Sequence, residues 1–257
     1  MLMLPREHGA YSQMVLPLVT TFLVSGVTLA AALTGVAVVL GFLAHEPLMV
    51  LLGRRGARVR TESAGRARSV LMMIGAAMTV VGIAAVVLAP PAARPWFVLP
   101  LVPAMVVAAG VLRKHEKSGP AEIAVALAFS LTAAPIAVAA GAAVVTALAI
   151  AIAFAVVFVA GVLAVRVSIL KVRAGGNPRA VRTTRAALAA LAAMALAGLG
   201  AAAIRAVLPW TPLAAAIPGI LVAVMFAFRT TAPPLKTVGW TLMSASTAAA
   251  VMLIVGL

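Results

Sequence analysis

Cysteine and aspartate are both absent from this chain of 257 residues, and its only acids are five glutamates. Without cysteine there is no disulfide framework, no thiolate metal site and no cysteine nucleophile. Charged residues of either sign are scarce, at 10%, against 65% hydrophobic residues and a mean hydropathy of +1.20, which excludes a soluble domain and places the chain in the membrane class. The formal net charge is +15. Its basic residues sit in the gaps between apolar runs, so they read as topology determinants and lipid headgroup contacts, and no basic soluble domain is left to bind nucleic acid. The start, MLMLPREHG, puts Pro5, Arg6 and Glu7 where a signal peptide would need its apolar core, so no cleavable signal is expected.

What is present is a succession of apolar runs near the length of about 20 residues that a spanning helix needs. They predict nine spans: Ala10 to Val27, Thr28 to Leu43 with an extension to Leu52, Val70 to Leu88, Trp96 to Leu112, Ile123 to Ala140, Ala142 to Val165, Ala186 to Val207, Pro212 to Phe228 and Val238 to Leu257. With the N-terminus inside, eighteen of the twenty Lys and Arg fall on the inner side and only Arg94 and Arg205 outside. The positive-inside rule then gives a cytoplasmic N-terminus, an extracytoplasmic C-terminus and a multi-pass protein of the inner membrane. The two longest inner connections, about His45 to Ser69 and Arg166 to Arg185, read as Arg-rich loops. They follow the second and sixth spans, which suggests a single membrane domain over 1–257 built from a four-helix unit repeated at 10–113 and 121–228, with a ninth helix at 236–257. Prolines at 17, 103, 135 and 218 fall inside spans, where each removes a backbone donor and can kink the helix.

Every acid and every histidine lies on the inner side, and three acids adjoin a histidine: Glu7-His8, His45-Glu46 and His115-Glu116. Glu7, His8, His45 and Glu46 are therefore the candidates for proton or metal chemistry. Carboxylates and imidazoles suit several divalent metals, although no His-Glu-x-x-His spacing occurs, so the metal stays open. Glu122 follows Gly119-Pro120 in a first helical turn, where the helix dipole favours a carboxylate and an arginine partner is within reach. Arg6, Arg54, Arg55, Arg166 and Lys171 are candidate receptors for a phosphate or diphosphate. Tyr11 and Gln13 carry the polar stretch one turn into the first span as further pocket groups.

The motifs Arg6-Glu7-His8-Gly9-Ala10, Phe42-Leu43-Ala44-His45-Glu46-Pro47-Leu48 and Lys236-Thr237-Val238-Gly239-Trp240 make the chain resemble the YwiC-like family of bacterial membrane proteins. The nine-span layout is also similar in architecture to the UbiA-type intramembrane prenyltransferases. That resemblance implies an all-α polytopic bundle in a UbiA-like arrangement, with an isoprenoid diphosphate and Mg²⁺ held by Asp-rich motifs after the second and sixth helices. The corresponding positions here read His45-Glu46-Pro47 and Arg166 to Lys171, without aspartate, which departs from the Mg²⁺-binding pattern. Two functions are carried forward. One is binding of an isoprenoid or lipid phosphate in an inward-facing polar pocket, extending to a divergent transferase; the other is a non-catalytic transporter or partner subunit of a membrane complex.

Overall fold

The computed structural model describes residues 8–113, 118–172, 177–231 and 233–257, with the side chain of residue 8 excepted. Among them the regular structure is entirely helical: α1 (His8–Ser25), α2 (Leu29–Leu51), α3 (Ala57–Leu88), a 3₁₀ stretch (Pro91–Phe97) leading into α4 (Val98–Leu112), α5 (Gly119–Leu131), α6 (Ala133–Ala139), α7 (Val144–Val172), α8 (Pro178–Ile204), α9 (Thr211–Phe228) and α10 (Leu235–Gly256). Eight rods are long and apolar enough to cross a membrane, counting the 3₁₀ stretch with α4 and α5 with α6, and α1 is a shorter apolar ninth.

The middle of the bundle is held by α7, which packs against α1, α5, α6, α8, α9 and α10. Its sequence explains the position. From Val144 to Val165 it carries no charge, and Ala147, Ala151, Ala153, Ala160 and Ala164 are buried small residues that let neighbours approach closely. On α9, Gly219 meets it so tightly that an added Cβ would lie 2.8 Å from Val157 Cγ1. The hairpin of α2 and α3 sits at the periphery, with α3 packed on α2 alone among the principal contacts, and its outer side carries exposed Met72, Met73, Val80, Ile83 and Val87. Apolar surface of that kind is what a helix presents to lipid tails.

Cross-links between helix ends sort the bundle into two faces. Thr28 Oγ1 donates to Ala139 O at 2.9 Å and Thr211 Oγ1 to Gly256 O at 3.0 Å, on one face. On the other, Arg54 reaches the end of α4 and Lys171 the end of α9, so the ends of α2, α4, α7 and α9 lie together with the starts of α3, α5, α8 and α10. This second face holds most of the cations, as the charge pattern predicts, and is called the basic face below.

Three readings of the sequence change. The second span takes the longer of its expected bounds, running through His45, Glu46 and the internal Pro47 to Leu51. A tight elbow at Gly53 (φ 72°) and Gly56 (φ 102°), conformations that cost glycine little, turns the chain directly into α3. The expected loop from His45 to Ser69 is therefore mostly helix. In the same way α7 continues to Val172, and α8 starts at Pro178, capped by Asn177 Oδ1 accepting from Arg179 N and Ala180 N. With 32 residues at about 1.5 Å each, α3 exceeds a hydrocarbon core of about 30 Å, so its Arg-bearing first turns project from the bilayer. Finally, the fifth span is two helices broken at Thr132, where Pro135 cannot donate to Leu131 O and its ring crowds that carbonyl.

Candidate functional site

The α2–α3 elbow builds the first polar cluster of the basic face. Glu46, in the last turns of α2, is buried with only 4% of its surface exposed. The elbow returns Arg55 to it: Nε donates to Oε1 at 2.9 Å and Nη2 to Oε2 at 2.5 Å, a bidentate fork. Arg54, one residue earlier, points the other way and donates from Nη2 to Val111 O at 2.9 Å, in the last turn of α4, where helix carbonyls lack intrahelical donors. His45 is half-buried in the same turn as Glu46.

The second cluster joins α5 to α7. Ser118 caps α5, its hydroxyl accepting from Ala121 N at 3.4 Å, and this sets Glu122 in the first turn. Arg166 Nη1 donates to Glu122 Oε2 at 3.4 Å. The Arg166 guanidinium also lies over Gly119, whose absent side chain makes room: a Cβ there would sit 3.1 Å from Cζ. Arg166 is 34% exposed, so it keeps a face toward the surroundings.

The third cluster closes α9. Lys171 Nζ donates to Ala227 O (3.0 Å), Arg229 O (2.8 Å) and Phe226 O (3.4 Å). Arg185 donates from Nε to Ala227 O (2.8 Å) and from Nη2 to Arg229 O (3.3 Å), with its guanidinium 5.5 Å from the Phe228 ring centroid. Two cations thus neutralise the negative end of the α9 dipole. An ammonium has three N–H donors, and all three of Lys171 are engaged with carbonyls, which leaves it no donor for a phosphate.

The sequence-assigned residues are therefore regrouped. Glu46 and Arg55, assigned to proton chemistry and to anion binding, hold each other. Arg54 and Lys171, both assigned to anions, cap helix ends. Arg166, 34% exposed, is held by a single long contact to Glu122. Tyr11 packs edge-on against Phe42 at 4.8 Å between centroids, and Phe42 against Phe129 at 5.9 Å, an aromatic ladder joining α1, α2 and α5. Gln13 is half-buried on α1. Arg6 and Glu7, the side chain of His8, and the pair His115-Glu116 lie outside the described residues. Among the described residues no three His or Glu side chains come together as a metal site. The acids there, Glu46, Glu62 and Glu122, are each paired with an arginine, the second with Arg58 at 2.8 Å. Arg185 was not anticipated from the sequence, because its carbonyl partners are more than forty residues away.

The family model for YwiC-like proteins matches residues 4–137. The chain belongs to the YwiC-like family. The matched stretch runs from before α1 into α6 and contains every glutamate and histidine of the chain, whereas α7 to α10 contribute cations only. Thus the Glu46–Arg55 fork lies wholly within the YwiC-like region, and the Glu122–Arg166 pair joins that region to the rest of the bundle. No curated protein and no solved structure matches the chain. The UbiA-type likeness accordingly finds no support, and the centre of the bundle is occupied by α7.

Proposed function

We propose that this integral membrane protein binds an isoprenoid or lipid phosphate at its basic face, with Arg166 as the residue that meets the anion. The observation that carries this reading is the Arg166 guanidinium lying over the bare start of α5, at Gly119, with only a long 3.4 Å contact to Glu122. A guanidinium beside a helix N-terminus presents two positive partners to an incoming phosphate oxygen. Glu122 then acts as the resident anion that a stronger acceptor displaces or shares. The positive-inside rule puts this face in the cytoplasm of a bacterial inner membrane. Transferase activity is the extension of the same reading. For proton transfer it draws on His45, and on Glu7 and His8 from sequence alone; Glu46 is secured by Arg55, and a divalent cation would depend on the ligands that arginines do not hold.

The second reading, a transporter or partner subunit without catalysis, rests on a different part of the bundle. Here α1 contains Pro17, α5 and α6 are interrupted at Thr132, and the Thr20 hydroxyl is buried without a hydrogen-bond partner. Interrupted helices with free polar groups inside the bilayer are where transporters hold their cargo. The two readings separate on one experiment. The protein is isolated with its lipids and analysed by mass spectrometry, as wild type and as Arg166→Ala. Enrichment of an isoprenoid or lipid phosphate in the wild type, lost in the variant, supports the first reading. An identical lipid profile in both, with no phosphate-bearing lipid enriched, overturns it.

A further inference from the structure

The α2–α3 hairpin is fastened to the bundle unequally along its length. At its outer end the attachment is broad and built of small residues. Ala30 and Ala31 of α2 and, just past α3, Ala89 and Ala93 share one buried apolar cluster with Ile136 and Ala137 of α6, and Thr28 Oγ1 donates to Ala139 O. Gly35 lets α1 in beside α2, since a Cβ there would lie 2.8 Å from the Phe22 ring. Toward the basic face the attachments become individual side chains. Among the principal helix contacts α3 packs on α2 alone, and α4 packs on α5 and the 3₁₀ stretch. The described side-chain ties across this end are Phe42, set between Tyr11 and Phe129, and Arg54 Nη2 donating to Val111 O. The two helices α2 and α4 thus flank a cleft whose floor is α5, and Glu122 stands two helical turns from Phe129 on the same face of that floor.

We propose that the hairpin is a gate, pivoting on its outer alanine cluster and latched at its basic end by Arg54 and Phe42, whose release opens the cleft between α2 and α4. The hairpin can move as one body. Gly41 packs on Met78, with a Cβ there 3.6 Å from Sδ, the fork of Glu46 and Arg55 ties the elbow, and the Arg60 side chain lies against Gly53. Close-packed small residues tolerate a small tilt, whereas contacts at the far end of a lever are the ones a tilt breaks. From Gly35 to Arg54 the lever is about 30 Å long at about 1.5 Å per residue, so a tilt of about 10° moves the elbow by about 5 Å. Outward movement meets lipid, since Met72, Met73, Val80 and Ile83 of α3 are already exposed. Opening uncovers α5 from Phe129 toward Glu122 and gives a lipid in the bilayer a sideways path to Arg166. That use of the gate rests on the proposed function; the motion does not.

The chain has no cysteine, so introduced pairs carry the only spin labels. The full chain in nanodiscs of phosphatidylcholine and phosphatidylglycerol is measured by double electron–electron resonance with no ligand added. One pair spans the cleft, Thr61→Cys with Leu112→Cys, and one sits at the pivot, Leu29→Cys with Val145→Cys; all four positions are exposed. The cleft pair is expected to show a main distance and a second one longer by about 5 Å, as the lever arithmetic gives. Arg54→Ala should raise the ratio of long to short by on the order of tenfold, the weight of one charge-assisted hydrogen bond. Phe42→Ala should act in the same direction, and the pivot distance should stay constant throughout. Phe42→Ala removes a buried ring, so where it yields no protein Arg54→Ala decides. A single cleft distance, the same in wild type and in the latch variants, overturns the gate. A pivot distance that lengthens with the cleft overturns the pivot, because the hairpin then detaches as a whole. An unchanged lipid profile in Arg166→Ala removes the passenger and leaves the gate standing, so the two readings fail separately.

Discussion

Arg55→Ala is the substitution whose consequence follows most directly from the geometry. In the fork, the side chains of Arg55 and Glu46 are 19% and 5% exposed, so the pair is largely out of water. Removing the arginine leaves a carboxylate buried in the last turns of α2 without the two N–H donors of the fork. Breaking a buried pair from one side costs about 3 to 5 kcal/mol. For a chain of this size each kcal/mol moves a thermal midpoint by about 2 to 4 °C, so the expected fall is roughly 6 to 20 °C. The asymmetry of exposure adds a second expectation. Glu46→Gln frees the more exposed partner, which can turn to solvent, so it should cost less than Arg55→Ala. A double substitution, Glu46→Leu with Arg55→Leu, removes both charges and should recover much of the loss. The assay is scanning fluorimetry of the detergent-solubilised protein at a single scan rate, because unfolding of such proteins is often irreversible. An unchanged midpoint in Arg55→Ala, or a double variant as damaged as the sum of the single ones, refutes the claim that the fork holds the elbow.

Two backbone positions give predictions of opposite sign. Ala206 adopts φ 56° just beyond α8, where Val207 N donates to Ala202 O and Ala206 N to Ala203 O, the bonding of a Schellman cap. Alanine is strained in that conformation, so Ala206→Gly should stabilise by about 0.5 to 1 kcal/mol, read as a rise in the same thermal midpoint. At the α7–α9 crossing, Gly219→Ala places a methyl 2.8 Å from Val157 Cγ1 and should destabilise by about 1 to 3 kcal/mol. Val157→Ala in the same chain makes the missing space and should restore most of it; a double variant no better than Gly219→Ala places the close contact elsewhere.

The rods of this fold were legible because bilayer thickness fixes one length and the chain repeats it. Their ends were not, because arginine was read as a loop residue. Arginine and alanine are both good helix formers, and segments such as Ala57 to Arg68 and Arg179 to Arg185 continue a helix once it has left the lipid. Nor did the sequence distinguish the proline that breaks a span from those that do not: Pro17, Pro47, Pro103 and Pro218 sit inside unbroken helices, and Pro135 beside an interruption. That difference lies in how neighbouring helices satisfy the freed carbonyl, which spacing along one chain does not encode.

The same limit governs the site, and the arginines show why. Arg54, Arg55, Arg58 and Arg60 look alike in sequence, four cations within seven positions, yet each has a different occupation. Only the pairing of Arg58 with Glu62 was available from spacing, since i and i+4 share a helix face. It is also the pair of least consequence: both side chains are mostly in water, 89% and 59% exposed, where ion pairs contribute little. The informative pairings run across the chain, from Arg54 to the end of α4, from Arg166 to Glu122 and from Lys171 to the end of α9. With five acids for twenty cations, most cations have no acid to meet, and helix-end carbonyls become their next-best partners.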